Sequence, residues 1–170
     1  LALLAVALRA CLFHRSYFVL HRLRMLCNKL QSRTRKSRVR VEGEGKGVIF
    51  VEELSEVPDG VPVVFSAHGV PPSVVRSAKE RRLPIIDATC PLVARVHQEA
   101  VRHHKAGCQV LVIGKKNHPE VLGLLGHLPT ENCQVVGDTA AAQNVRLPLN
   151  QPVAYVTQTT LSVEDTKQIV

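Results

Sequence analysis

The sequence predicts an α/β fold built from small, repeated parallel-sheet βα units. Two observations carry that expectation. From residue 47 onward short β-rich runs alternate with helical stretches, the pattern of strands joined by crossover helices. The turn punctuation also falls between those runs, with "PDG" at 58–60 and Gly107 as stops.

The expected strands are "GVIFVEEL" (47–54), "VPVVFSA" (61–67), "LPIIDA" (83–88), "CQVLVIG" (108–114), "CQVVG" (133–137) and "PVAYVTQ" (152–158). Helices are expected over 71–82, 91–106, 119–127, 138–144 and from 163 onward. Three segments follow: a basic arm over 1–46, a partial first α/β unit over 47–90, and a second α/β unit over 91–170. No low-complexity linker separates the last two.

Charge divides the chain in the same place. The net charge is +8, yet residues 1–41 hold ten Lys and Arg with no acid, against twelve basic and fourteen acidic residues over 42–170. A basic patch confined to an arm, with few aromatics for base stacking, argues against a folded nucleic-acid reader. The arm has the composition of an organelle transit peptide, but an amphipathic surface helix or sequence foreign to the fold fits equally well. Its apolar opening, "LALLAVAL", is interrupted by Arg9, His14 and Arg15, too early for a membrane span. Cys11, Cys27, Cys90, Cys108 and Cys133 form neither a disulfide framework nor paired metal knuckles, which points to a reducing, cytosol-like compartment.

In open parallel sheets ligands bind beyond the carboxyl ends of the strands, where loops enter helices. Four polar clusters fall at such ends: His68 in "SAHGV", Cys90 in "ATCP", His118 and Glu120 in "KKNHPEV", and Gln158, Thr159 and Thr160 in "TQTTLSV". Pro91 suits a first helical position, which makes Cys90 the N-cap, a placement that favours thiolate. Such a thiolate can act as a nucleophile or bind a metal; the plain alternative is a small buried hydrophobe. Pro119 repeats the device beside His118, a candidate ligand for phosphate oxygens, with Glu120 as a candidate proton relay or simply a first-turn acid. His68 before Gly69 serves equally as a turn residue, and threonines at strand ends are routine.

Two other chemistries fit poorly. A thiol phosphatase loop needs five residues between its cysteine and arginine, whereas Cys90 and Arg95 are separated by four. A zinc module from Cys90, His97, His103, His104 and Cys108 would lie largely along one helix, without a second knuckle.

"FSAHGVPPSV", "DATCPLVARVH", "GKKNHPEVLG" and "TQTTLSVEDT", in this order and at these intervals, closely resemble the 4-hydroxy-3-methylbut-2-enyl diphosphate reductase family, the iron–sulfur enzymes that end the non-mevalonate isoprenoid pathway. The resemblance runs over about residues 47–170. It implies a cloverleaf of three α/β units around a [4Fe–4S] cluster held by three cysteines, with one iron open to the substrate hydroxyl. Cys90 matches one of those cysteines, and His68 and His118 match the histidines that bind the substrate diphosphate. Glu120 matches the acid that delivers protons, and Thr159 a threonine close to the substrate hydroxyl. The resemblance further implies reductive dehydroxylation of an allylic diphosphate, an external electron donor such as ferredoxin or flavodoxin, and a bacterial-type cytoplasm or plastid stroma, with neither nucleic acid nor membrane as partner.

Two departures stand beside the matches. The family's opening Gly-Phe-Cys and His-Asn motifs are not found in residues 1–46, and Cys11 and Cys27 lack their surroundings. The third cluster cysteine belongs to a unit expected after residue 170. One ligand of three is therefore expected here, as in a fragment, and a non-catalytic binding remnant of the enzyme is the alternative reading.

Overall fold

A computed structural model describes residues 5–8 and 48–170; the rest of the basic arm lies outside the described residues. The chain divides into two compact units. One ends at Ala67 and resumes over Ser73–Cys90; the other consists of His68–Pro72 and Pro91–Val170. His68, which sequence order puts between two strands of the first unit, packs with the second.

In the first unit β1 (Ala5–Leu8) pairs antiparallel with β2 (Val48–Val51), and β3 (Val63–Phe65) pairs in parallel with β4 (Ile85–Asp87) through α1 (Pro72–Glu80). The expected strand over 47–54 stops at Val51 because a 3-10 turn, Leu54–Glu56, follows at once. The Glu56 carboxylate accepts the backbone N–H groups of Glu52 and Glu53 at 2.9 and 2.6 Å, which folds the acidic end of the run back on itself. Val48 and Val64 form a small core with Phe50, Ile86 and Ala88. Arg81, just beyond α1, staples the edge of this unit. Its guanidinium donates to the carbonyls of Leu54 (2.7 Å) and Val57 (2.5 Å) and to Asp59 (2.6 Å).

The second unit is a parallel three-stranded sheet in the order β6-β5-β7: β5 (Gln109–Ile113), β6 (Cys133–Val136) and β7 (Val153–Thr157). The central strand is the most buried of the three, as a strand covered on both faces must be. Four helices accompany it: α2 (Pro91–Lys105), α3 (Pro119–Leu125), α4 (Thr139–Gln143) and α5 (Val163–Ile169). Along α2 the residues Val93, His97 and Ala100 are buried at helical spacing, and the chain leaves the helix through Gly107 at φ +83°, the left-handed stop glycine accepts without strain. Ala100, Val110, Val112, Val121, Leu124, Leu128 and Val156 form the core, each fully buried valine contributing about 1.5 kcal/mol or more. Among the described residues no helix is long and apolar enough to cross a membrane.

Candidate functional site

The carboxyl ends of β5 and β7 point their loops at one place in the second unit. β5 leads through Gly114 and "KKNHP" into α3, and β7 through "QTT" toward α5. Gln158 locks the two loops together: its N–H donates to the Ile113 carbonyl (2.8 Å), its side-chain oxygen accepts the Lys115 N–H (3.0 Å), and its Nε2 donates to Thr160 Oγ1 (2.5 Å). Only 6% of Gln158 is exposed, so these bonds replace water lost on burial. Gly114 makes the room; a Cβ there would stand 2.7 Å from Val121 Cγ2 and 3.0 Å from Gln158 Cβ.

Glu120 is the chemical centre of this arrangement. It sits in the first turn of α3 with 2% of its surface exposed, and both carboxylate oxygens are held by one residue. Oε1 accepts the Thr159 N–H at 2.7 Å and Oε2 accepts the Thr159 hydroxyl at 3.0 Å. Burial pushes the carboxyl above its ordinary range, and the two bonds from Thr159 partly oppose the rise. The result is an acid that holds its proton closer to neutrality than a surface glutamate does, at a fixed position. Such a group is suited to proton delivery.

His118 caps the same helix. Its extended backbone (φ −76°, ψ 136°) ends the β5 loop, Pro119 takes the first helical position, and Nδ1 accepts the Glu120 N–H at 3.2 Å. With Nδ1 as acceptor, the neutral ring carries its proton on Nε2, which is then a donor. His68 stands against it, the two rings meeting edge to face with centroids 5.5 Å apart. Gly69, at φ +75°, turns the chain immediately after His68.

Three of the four clusters expected at strand ends are thus brought together within the second unit: His68, His118 with Glu120, and Thr159 beside Gln158. Cys90 belongs to the first unit. It is a half-buried free thiol whose N–H donates to the Ala67 carbonyl at 2.9 Å, immediately before α2 begins at Pro91. Asp87 and Thr89 form a local turn, with Asp87 Oδ1 accepting the Thr89 N–H (2.9 Å) and hydroxyl (2.6 Å).

A [4Fe–4S] cluster needs a full thiolate set. Cys108 and Cys133 stand at the N-terminal ends of β5 and β6, opposite the edge that carries Glu120 and Thr159, and burial raises the Cys133 thiol. Among the described residues no group of three or more His, Cys, Asp or Glu is placed to hold a metal ion. The described residues therefore do not complete a cluster site.

Sequence reasoning missed three features. Gln158 reads as one more polar residue in a threonine-rich loop, and its bridging becomes visible only once Lys115 is beside it. The closeness of Gly123 and Gly126 to the His68 segment has no signal beyond two glycines three residues apart. His97, weighed as a zinc ligand, is instead packed on His127 with ring centroids 4.6 Å apart.

The family model described as LytB protein matches residues 35–170. The 4-hydroxy-3-methylbut-2-enyl diphosphate reductase of Ruegeria sp. (strain TM1040) is 52% identical over 125 residues, covering 74% of this chain and 40% of its own. The enzyme of the same name from Phenylobacterium zucineum (strain HLK1) is 55% identical over 127 residues, with 73% and 40% covered. The solved structure of the E-1-hydroxy-2-methyl-but-2-enyl-4-diphosphate reductase from Plasmodium falciparum superposes with a TM-score of 0.73 at 40% identity, over 77% of this chain and 41% of that one. This chain spans about 40% of the length of these curated relatives. By its matched residues and its fold, the chain belongs to the LytB protein family.

Proposed function

We propose that this chain is the part of a 4-hydroxy-3-methylbut-2-enyl diphosphate reductase that grips the substrate diphosphate and supplies protons at its allylic end. The observation that carries the reading is the buried Glu120 carboxyl, held through both oxygens by Thr159 and placed on the same helix as His118, whose ring meets that of His68. His68 and His118 donate to diphosphate oxygens. Glu120 holds the proton, and the Thr159 hydroxyl lies between that carboxyl and the leaving oxygen. In the overall reaction the allylic C–O bond breaks, two electrons and two protons enter, and water leaves with isopentenyl or dimethylallyl diphosphate as product. The electrons come from an external donor such as ferredoxin or flavodoxin, in a bacterial-type cytoplasm or plastid stroma. Cys90 is the thiolate this chain offers to a [4Fe–4S] cluster, a site that the described residues do not complete.

The test is calorimetric titration of the chain with inorganic pyrophosphate. Loss of a hydrogen bond to a charged phosphate oxygen weakens binding about tenfold or more, the loss expected separately for His68→Ala and His118→Ala. Affinity unchanged by both substitutions would remove the diphosphate reading.

A second reading, a binding module of that enzyme without turnover of its own, rests on the described residues, among which no group of three ligands is placed to hold a metal ion. Iron and acid-labile sulfide in the chain after anaerobic reconstitution, absent from a Cys90→Ser variant, would count against it. Neither variant nor parent retaining iron would support it.

A further inference from the structure

The segment that carries His68 lies so close to α3 that a side chain at Gly126 would clash with it and one at Gly123 would crowd it. A Cβ on Gly123, inside α3, would stand 3.0 Å from the Gly69 oxygen and 3.4 Å from the His68 oxygen. A Cβ on Gly126, the C-cap of the same helix, would stand 2.4 Å from Pro71 Cβ and 3.0 Å from Pro71 Cγ. Neither glycine is required by its own backbone. Gly126 has φ −65° and ψ −12°, comfortable for alanine, and glycine within a helix costs about 1 kcal/mol relative to alanine. What both positions gain is space for the chain from His68 to Pro71. The next residue, His127, lies against the Val70 carbonyl, which adds a polar contact to the same seat. One helix therefore presents His118 at its N-cap and Glu120 in its first turn, and receives the His68 segment along its last.

We propose that Gly123 and Gly126 are positioning residues whose missing side chains set His68 against His118. The inference rests on the diphosphate reading for its purpose, but its geometric content is independent of it. A methyl group at either position pushes the segment outward while leaving His68, His118, Glu120 and Thr159 chemically intact. The expected consequence is a diphosphate grip with one histidine out of reach.

Two readouts on the full chain test this. The first is the nuclear Overhauser contact between the His68 and His118 rings, centroids 5.5 Å apart, in the native chain, Gly126→Ala and Gly123→Ala, with far-ultraviolet circular dichroism to establish folding. Folded variants that lose the ring contact support the seat; folded variants that keep it overturn it. If Gly126→Ala does not fold, Gly123→Ala, whose Cβ has the Gly69 and His68 backbone as its nearest neighbours and whose helix propensity improves, decides the matter. The second readout is pyrophosphate affinity, expected to fall about tenfold in each variant, as in His68→Ala, and to recover in Gly126→Ala combined with Pro71→Gly, which removes the obstructing ring. If His68→Ala itself leaves pyrophosphate binding unchanged, the diphosphate reading fails, and the ring contact alone decides the positioning claim.

Discussion

Cys90 and Glu120 are placed by opposite means. Cys90 is positioned mainly by its neighbours in the chain, a turn closed by Asp87 and Thr89 and a proline that opens the next helix, with a single backbone bond reaching back 23 positions to Ala67. Glu120 is positioned by residues remote in sequence: Thr159, 39 positions away, holds both carboxylate oxygens, and Gln158, 43 positions from Lys115, ties the supporting loops. The thiol's surroundings are half-buried and local, whereas the carboxyl is desolvated and depends on the folded sheet. Damage to the core of the second unit therefore reaches Glu120.

The largest expected effect is in acid. His97 is 7% exposed and its pKa is lowered from 6.5 to about 4, first by burial and then by the charge of His127; burial also lowers His127, against the Val70 carbonyl. A lowered histidine contributes stability that is complete above the unfolded value and is lost as pH falls through the folded one. The second unit is thus expected to lose on the order of 3 kcal/mol between pH 6.5 and about 4 through His97. Urea unfolding at pH 7 and pH 4 checks this, and His97→Leu should flatten the difference at little cost near neutrality, because His97 Nε2 has no hydrogen-bond partner to lose.

Next comes the packing beneath the carboxyl. Gly114→Ala drives a methyl into Val121 and Gln158, and overpacking of this kind costs about 1–3 kcal/mol. Denaturant midpoints should fall accordingly, together with the amide-exchange protection of the Lys115 and Thr159 N–H groups. Thr159→Val removes one bond to a buried carboxylate, a cost of about 1.5–3 kcal/mol with Glu120 ionised, and pushes the carboxyl still higher. A raised carboxyl contributes stability that is complete below its unfolded value and disappears as pH rises through the folded one, so Thr159→Val should weaken the chain most at neutral pH and least in acid. The smallest effect belongs to the other region: Asp87→Ala breaks two exposed bonds and should cost about 0.5–1 kcal/mol without moving the Glu120 titration.

The same contrast explains what the sequence disclosed. Strands and helices were legible to within a few residues, since "QVLVI" and the α2 pattern of Val93, His97 and Ala100 follow from local periodicity. The strand expected through Leu54 was overdrawn because Glu56 folding back onto Glu52 and Glu53 is a side-chain event that periodicity does not register. His68, His118, Glu120 and Thr159 were legible as polar residues at strand ends and through the family's motifs. The bidentate grip of Thr159, the Gln158 bridge and the glycine seat were not, because each depends on two segments meeting in space.

The most direct test of the account follows the Glu120 carboxyl by carbon-13 magnetic resonance through a pH titration, with and without inorganic pyrophosphate. Burial and a neighbouring diphosphate both oppose ionisation. The expected midpoint lies above the ordinary carboxylate range and moves further up when pyrophosphate binds between His68 and His118. An ordinary midpoint, indifferent to pyrophosphate, would contradict the proposed role of Glu120.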